Sequence, residues 1–199
     1  MTNKEHIENV INRTFEIIKK VYDNQQELNG IKVKGSGSRI IFPLKRDKET
    51  RISEQELRFI FVEQLNNEIE ENWDIYYSVE TPTRDTYYFK GENPDRKDDG
   101  QSANFDLVIH DSNLKRIALI EFKANNPDEH EYKKDFAKLN NVKEGDGLLR
   151  YFIEIIKASD NGTFKNIHGK IQGNESIFRC YTLDGKGEIT NNICQAPLE

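Results

Sequence analysis

Cysteine is almost missing from this chain: Cys180 and Cys194 are the only two in 199 residues. Two cysteines cannot form a disulfide framework. With no CxxC pair, and with His6, His110, His130 and His168 scattered along the chain, a structural zinc site is not expected either. No apolar run is long enough to span a bilayer, and no signal-peptide core follows the polar start Met1-Thr2-Asn3-Lys4-Glu5. The expected setting is therefore a reducing cytoplasm, with no membrane partner. The chain also lacks a P-loop, a GxSxG elbow and an HExxH helix, so nothing points to an NTPase, a serine hydrolase or a zinc protease. It has no basic excess: the net charge is −6, whereas nucleic-acid binders typically carry a basic footprint. A hydrophobic fraction of 35% with 32% charged residues implies a heavily charged surface around one domain-sized core.

What is present is an acidic constellation on two short apolar runs. Asp106 opens Leu107-Val108-Ile109, and Glu121-Phe122-Lys123 closes Ile117-Ala118-Leu119-Ile120. Residues two apart on a strand share a face, so Glu121 and Lys123 point one way and Phe122 the other, into apolar packing. Ser112 to Lys115 read as a four-residue hairpin loop. If Asp111 pairs with Arg116, Asp106 falls opposite Glu121, and directly opposed side chains lie about 5 Å apart. A slip of one residue would turn Asp106 away.

Two carboxylates that close repel unless a cation lies between them. Mg²⁺ takes oxygen ligands and keeps several waters. It can polarise a phosphoryl oxygen and acidify a bound water, while an adjacent lysine stabilises developing charge. The Phe122 backbone carbonyl is a natural extra ligand. The competing reading is a solvated hairpin with ordinary surface charges. Buried-looking strands argue against it, because stray charge there is costly.

Asp106, Glu121 and Lys123 on an antiparallel hairpin resemble the PD-(D/E)XK superfamily of restriction-endonuclease-like nucleases. The likeness covers roughly residues 53 to 145 and departs from the pattern at Phe105, where the motif has proline. It implies an α/β fold with a mixed central sheet flanked by helices, Mg²⁺ or Mn²⁺ as cofactor, and hydrolysis of nucleic acid, but no particular substrate; DNA is the leading expectation and RNA stays open. Asp106 and Glu121 would be metal ligands and catalytic, with Lys123 positioning the attacking water. Lys123→Ala is expected to keep the fold and to lower cleavage by about 10²–10³-fold. The superfamily often supplies a further acid from the helix before the sheet, and Glu63 or Glu56 is the expected source. Glu80, at the end of the first core strand, is expected to face the same cleft. A homodimer is compatible with cutting both strands. The alternative is a catalytically inactive module of the same fold that binds nucleic acid or a protein.

The rest of the chain supplies the frame. Residues 1–52 hold an N-terminal helical extension and a basic loop, 53–145 the motif-bearing core, and 146–199 the completing strands and a helix. Ile7, Val10, Ile11, Thr14, Ile17, Ile18 and Val21 recur at helical spacing up to Asn29-Gly30, and Thr2 with Glu5 fits a capping box. Lys32, Lys34, Arg39, Lys45 and Arg46 dominate the following segment and are candidate phosphate contacts. Pro43 confines Ile40-Ile41-Phe42 to an edge strand or loop. Ser53 and Glu56 fit a second capping box, opening a helix to about Glu71. That helix is apolar on several sides, which predicts that it is packed between the sheet and the first helix. A strand is expected over Trp73–Glu80, ended by Thr81-Pro82, with Tyr87-Tyr88-Phe89 as a separate aromatic edge. A turn-rich loop spans 91–104. A helix from about Asp128 to Val142 buries Tyr132, Phe136 and Leu139 and exposes Lys133, Lys134 and Lys138, which could reach phosphates. A buried strand, with a short helix as the alternative, over 150–158, a small helix around Phe164, Ile167 and Ile171, and a last strand over 177–183 complete the frame.

Overall fold

The computed structural model of the chain describes residues 1–27, 37–87, 101–157 and 176–183. Its elements run α1 (Asn3–Glu27), α2 (Glu54–Asn72), β1 (Ile75–Tyr87), β2 (Gln101–Asp111), β3 (Arg116–Ala124), α3 (Glu129–Leu139), a 3₁₀ turn at Val142–Glu144, β4 (Leu149–Ile156) and β5 (Ile177–Thr182). The expected aromatic edge at Tyr88 and Phe89, residues 91–100 of the turn-rich loop, the small helix at 164–171 and the tail after 184 lie outside the described residues, as do Lys32 and Lys34.

The strands form one mixed sheet in the order β1-β2-β3-β4-β5. β1 to β3 are antiparallel, and β3, β4 and β5 are parallel. The architecture is α/β. β3 is central and reads as a continuous apolar run because both its faces are covered. Alternation sorts the side chains. Ala118, Ile120, Phe122, Tyr151, Ile153 and Ile155 pack with α1 and α2, whereas Leu119, Phe152 and Ile156 pack with Tyr132, Phe136 and Leu139 of α3. Glu121 and Lys123, two and four residues beyond Leu119, therefore belong to the α3 face.

α1 starts with the expected capping box: Thr2 N donates to Glu5 Oε2 at 2.7 Å and Glu5 N to Thr2 Oγ1 at 3.2 Å. Its apolar stripe is buried in the same core as the sheet. Glu8 accepts from Arg179 Nε at 2.9 Å, Arg179 Nη2 at 2.8 Å and the Tyr151 hydroxyl at 3.1 Å, and Phe15 stacks on Tyr181. The helix is thus an integral part of the fold and not an extension. α2 lies beside it on the sheet, with Phe61 edge-on to Phe122 at 5.2 Å. The expectation of α2 sandwiched between sheet and α1 is corrected accordingly: Phe59, on its other side, is 58% exposed. Ser53 caps differently too. Its hydroxyl donates to the Glu56 carboxylate and makes no bond to the helix backbone.

β1 does not stop at Pro82. It continues to Tyr87, with Pro82 opposite Asn104 and a register shift before Thr86. Pro82 is tolerated because β1 is an edge strand, where a missing N–H can face outward. In the β2–β3 hairpin, Asp111 N donates to Lys115 O at 2.9 Å and Leu114 N to Asp111 O at 2.9 Å, with Leu114 at φ +61°. The loop is a residue tighter than expected, and Arg116 pairs with His110. A bulge at Ile117 absorbs the difference, so Leu107 still faces Ile120.

Candidate active site

The functional side chains gather around the end of the β2–β3 pair. From β3, Glu121 is 2% exposed and reaches Lys138 Nζ of α3 at 2.5 Å. Lys138 also meets Asp135 Oδ1 at 2.8 Å. Lys123 Nζ lies 3.0 Å from Asp135 Oδ2 and 3.3 Å from Glu54 Oε1, in the first turn of α2. Asp106 accepts from Phe122 N at 2.7 Å through Oδ2, while its Oδ1 meets Arg58 of α2. Arg58 also binds Glu80 at 2.7 Å.

Asp106, Glu121 and Lys123 therefore join one charged network, but not by sharing a face. Phe105 and Val108 both pack in the α3-side core while Leu107 packs in the other, so strict alternation breaks at Asp106. Its carboxylate swings to the strand junction and to Arg58, whereas Glu121 turns to α3. Glu80 enters the network through Arg58. Its backbone has φ +46°, a conformation uncommon outside glycine.

The α2 acid in the network is Glu54. Glu56 is engaged by Ser53, and Glu63 keeps one buried carboxylate oxygen without a hydrogen bond, so neither expected acid is the one brought to Lys123. Asp135, Arg58 and Glu54 are not among the residues expected at the site, and Lys138, expected to be exposed, is 7% exposed. Helical spacing holds a signal for Asp135, which falls in the Tyr132–Phe136–Leu139 stripe. Of the proposed phosphate contacts, Arg39, Lys45 and Arg46 are exposed, while Lys133 and Lys134 are half-buried and Lys133 pairs with Glu129 at 3.1 Å.

The network is short of positive charge. Glu54, Glu80, Asp106, Glu121 and Asp135 face only Arg58, Lys123 and Lys138 among the described residues. Burial first, then the neighbouring Asp135, raises the Glu121 carboxyl well above the usual range; Lys138 opposes this and Asp106 adds to it. Burial likewise raises Glu54, partly offset by Lys123. For Lys123, burial pulls the ammonium down, but Asp135, Glu54 and Asp106 outweigh it and hold its pKa above the ordinary lysine value. Lys138 is raised in the same way by Glu121 and Asp135.

Among the described residues, no three His, Cys, Asp or Glu side chains are arranged to hold a metal ion; bases intervene between the acids. Among the described helices none is long and apolar enough to cross a membrane. The chain matches no protein-family model, no curated protein and no solved structure.

Proposed function

We propose that the protein is a metal-dependent nuclease that hydrolyses nucleic-acid phosphodiesters, DNA in the first instance, on a restriction-endonuclease-like variant of its mixed α/β sheet. The observation that carries the reading is the excess of carboxylate where β2, β3 and the start of α2 meet, with a permanently charged lysine inside it. The donor set fits a hard divalent cation in chemistry and charge: every candidate ligand is oxygen, and the ionised network is two charges short of neutral. Asp106, Glu121 and the Phe122 carbonyl would hold Mg²⁺ or Mn²⁺ once Asp106 turns from Arg58 and Glu121 from Lys138, with Glu54, beside Lys123, as a further helix acid. When bound, such an ion supplies Lewis-acid polarisation and a water of lowered pKa.

The chain's own residues do the rest. Lys123 keeps its proton at neutral pH, so it serves as a fixed positive charge and not as a base. From that position it stabilises charge developing on the phosphorane and orients the attacking water. Arg58, anchored by Glu80, sits against Asp106 and can meet a second phosphoryl oxygen.

The test is cleavage of plasmid, single-stranded DNA and RNA with Mg²⁺ or Mn²⁺. Asp106→Asn and Lys123→Met should each lower the rate about 10²–10³-fold, and excess chelator should abolish it. Lys123→Met leaves Glu54 without its base and Asp135 with Lys138 alone, at a stability cost of about 1–3 kcal/mol, so rates are compared below the melting temperature of the variant. Full activity in either variant ends the mechanism. A non-catalytic binding module is the second reading, favoured by the base that each key acid already engages. Calorimetry separates the two, since a pure module shows no Mn²⁺ binding that depends on Asp106.

A further inference from the structure

Lys138 is an unusual residue to bury. A lysine seldom lies this deep without a partner, and its long stem loses rotamer freedom on ordering. Here its three N–H groups have three oxygen neighbours on three elements: Asn104 O of β2 at 2.9 Å, Glu121 Oε1 of β3 at 2.5 Å and Asp135 Oδ1 of α3 at 2.8 Å. The Phe105 ring lies 5.8 Å from Nζ. The ammonium therefore occupies an all-oxygen nest of two carboxylates and one main-chain carbonyl, the donor set that hard cations take.

We propose that Asn104 O, Glu121 and Asp135 form a cation site whose resident occupant is the Lys138 ammonium, and that a hard divalent cation competes with that ammonium for Glu121. The inference rests on the reading of Glu121 as a metal-holding acid, and it adds Asp135 as a ligand and α3 as the element that controls loading. Three features support it. The two acids come from different elements and are 2% and 6% exposed, so the nest is set by packing. Asp135 is steadied on its far side by Lys123 at 3.0 Å, so it stays in place when Lys138 leaves. The contacts of 2.5 to 2.9 Å need contract least for Ca²⁺, whose oxygen ligands lie at about 2.3–2.6 Å. A site filled by its own side chain binds an external ligand with an affinity reduced by the fraction of time it is empty. Removing the ammonium removes that reduction.

Ca²⁺ alone is the probe, measured by calorimetry on the full chain. Lys138→Met should bind it about tenfold tighter or better than the wild type, and Lys138→Met/Asp135→Asn should lose that gain. Equal affinity in Lys138→Met and wild type overturns the proposal, as does a gain that survives loss of Asp135. If Lys138→Met does not fold in metal-free buffer, recovery of a cooperative melt on adding Ca²⁺ sustains the site, and failure to recover overturns it. In the wild type, the ¹⁵N-labelled Lys138 ammonium signal should shift or vanish as Ca²⁺ is added; a signal that persists unchanged at saturation counts against displacement. These readouts are separate from catalysis. Cleavage by the wild type without tighter Ca²⁺ binding by Lys138→Met sinks this proposal and leaves the nuclease reading standing, and the reverse pattern does the opposite.

Discussion

Glu121 is a buried carboxyl set among charges that disfavour its own. Burial disfavours its charge, Asp135 and Asp106 add repulsion, and Lys138 returns only part of the loss, so its carboxyl is raised well above the ordinary 4.5. The consequence for stability has a definite sign. A carboxyl raised in the folded state binds its proton more tightly there than in the unfolded chain. Its contribution is fully present below the unfolded value near 4.5 and is lost as pH climbs through the folded value. Urea denaturation across a pH series should show stability declining above about pH 4.5 on this account. In Glu121→Gln that decline should flatten, because the side chain no longer titrates while an amide oxygen still faces Lys138. An unchanged pH slope in Glu121→Gln would mean that other carboxyls carry the effect. A divalent cation at Glu121 draws on the same reservoir, since binding charged oxygen there releases whatever proton it holds.

At the scale of elements, the 3₁₀ turn after α3 locks the outer half of β1. Glu144 is fully buried and accepts from Arg84 N at 2.8 Å, Asp85 N at 3.1 Å, the Tyr87 hydroxyl at 3.1 Å and Arg116 Nη1 at 3.1 Å. Glu144→Ala orphans four donors, one of them a guanidinium, and should cost about 3–5 kcal/mol, read as a lower urea midpoint. A loss under 1 kcal/mol would show that β1 past Pro82 is held by its ladder to β2 alone. This lock is a contact between remote residues, which the residue order does not reveal. The helices and the β2–β3 register were legible because periods of 3.6 and 2 survive in the residue order: Ile7, Val10, Ile11 and Ile18 of α1, and Leu107 opposite Ile120. Pro82 read as a stop because a proline signals a break, whereas its edge position and the remote Glu144 decide otherwise. The face switch at Asp106 had no local signal, since it depends on Phe105 joining the α3-side core. Glu56 and Glu63 border the α2 stripe and so stand out in the sequence, whereas Glu54 does not. The first turn of α2 is aimed at β3 by its entry, where Asn125 Nδ2 donates to Ile52 O at 2.9 Å, a contact between residues far apart in the chain.

For the whole molecule, a net charge of −6 opposes any polyanion, so the proposed contact with nucleic acid must be local. The described loop before α2 supplies one place for it. Arg39, Lys45, Arg46, Lys48 and Arg51 are exposed there, and Lys45, Arg46 and Lys48 sit on a turn closed by the Leu44–Thr50 bridge. The one ion pair inside it, Lys45 with Glu49 at 3.5 Å, is solvent-exposed and so binds its lysine weakly. Lys157 Nζ donates to Thr50 O at 3.2 Å, and the chain then runs from Ile52 directly to Glu54. The turn is thus pinned beside the ends of β3 and β4. A phosphate backbone laid along it would release counterions in proportion to the charges it meets. With three to four such contacts, the logarithm of the DNA affinity should fall with the logarithm of salt at a slope of about −3. Fluorescence anisotropy on labelled duplex, with Asp106→Asn to prevent cutting, measures it. Lys45→Ala/Arg46→Ala in that background should weaken binding evenly across sequences and bring the slope about two units closer to zero. Binding that ignores salt, or a slope untouched by the double substitution, would place the nucleic-acid contact away from this turn.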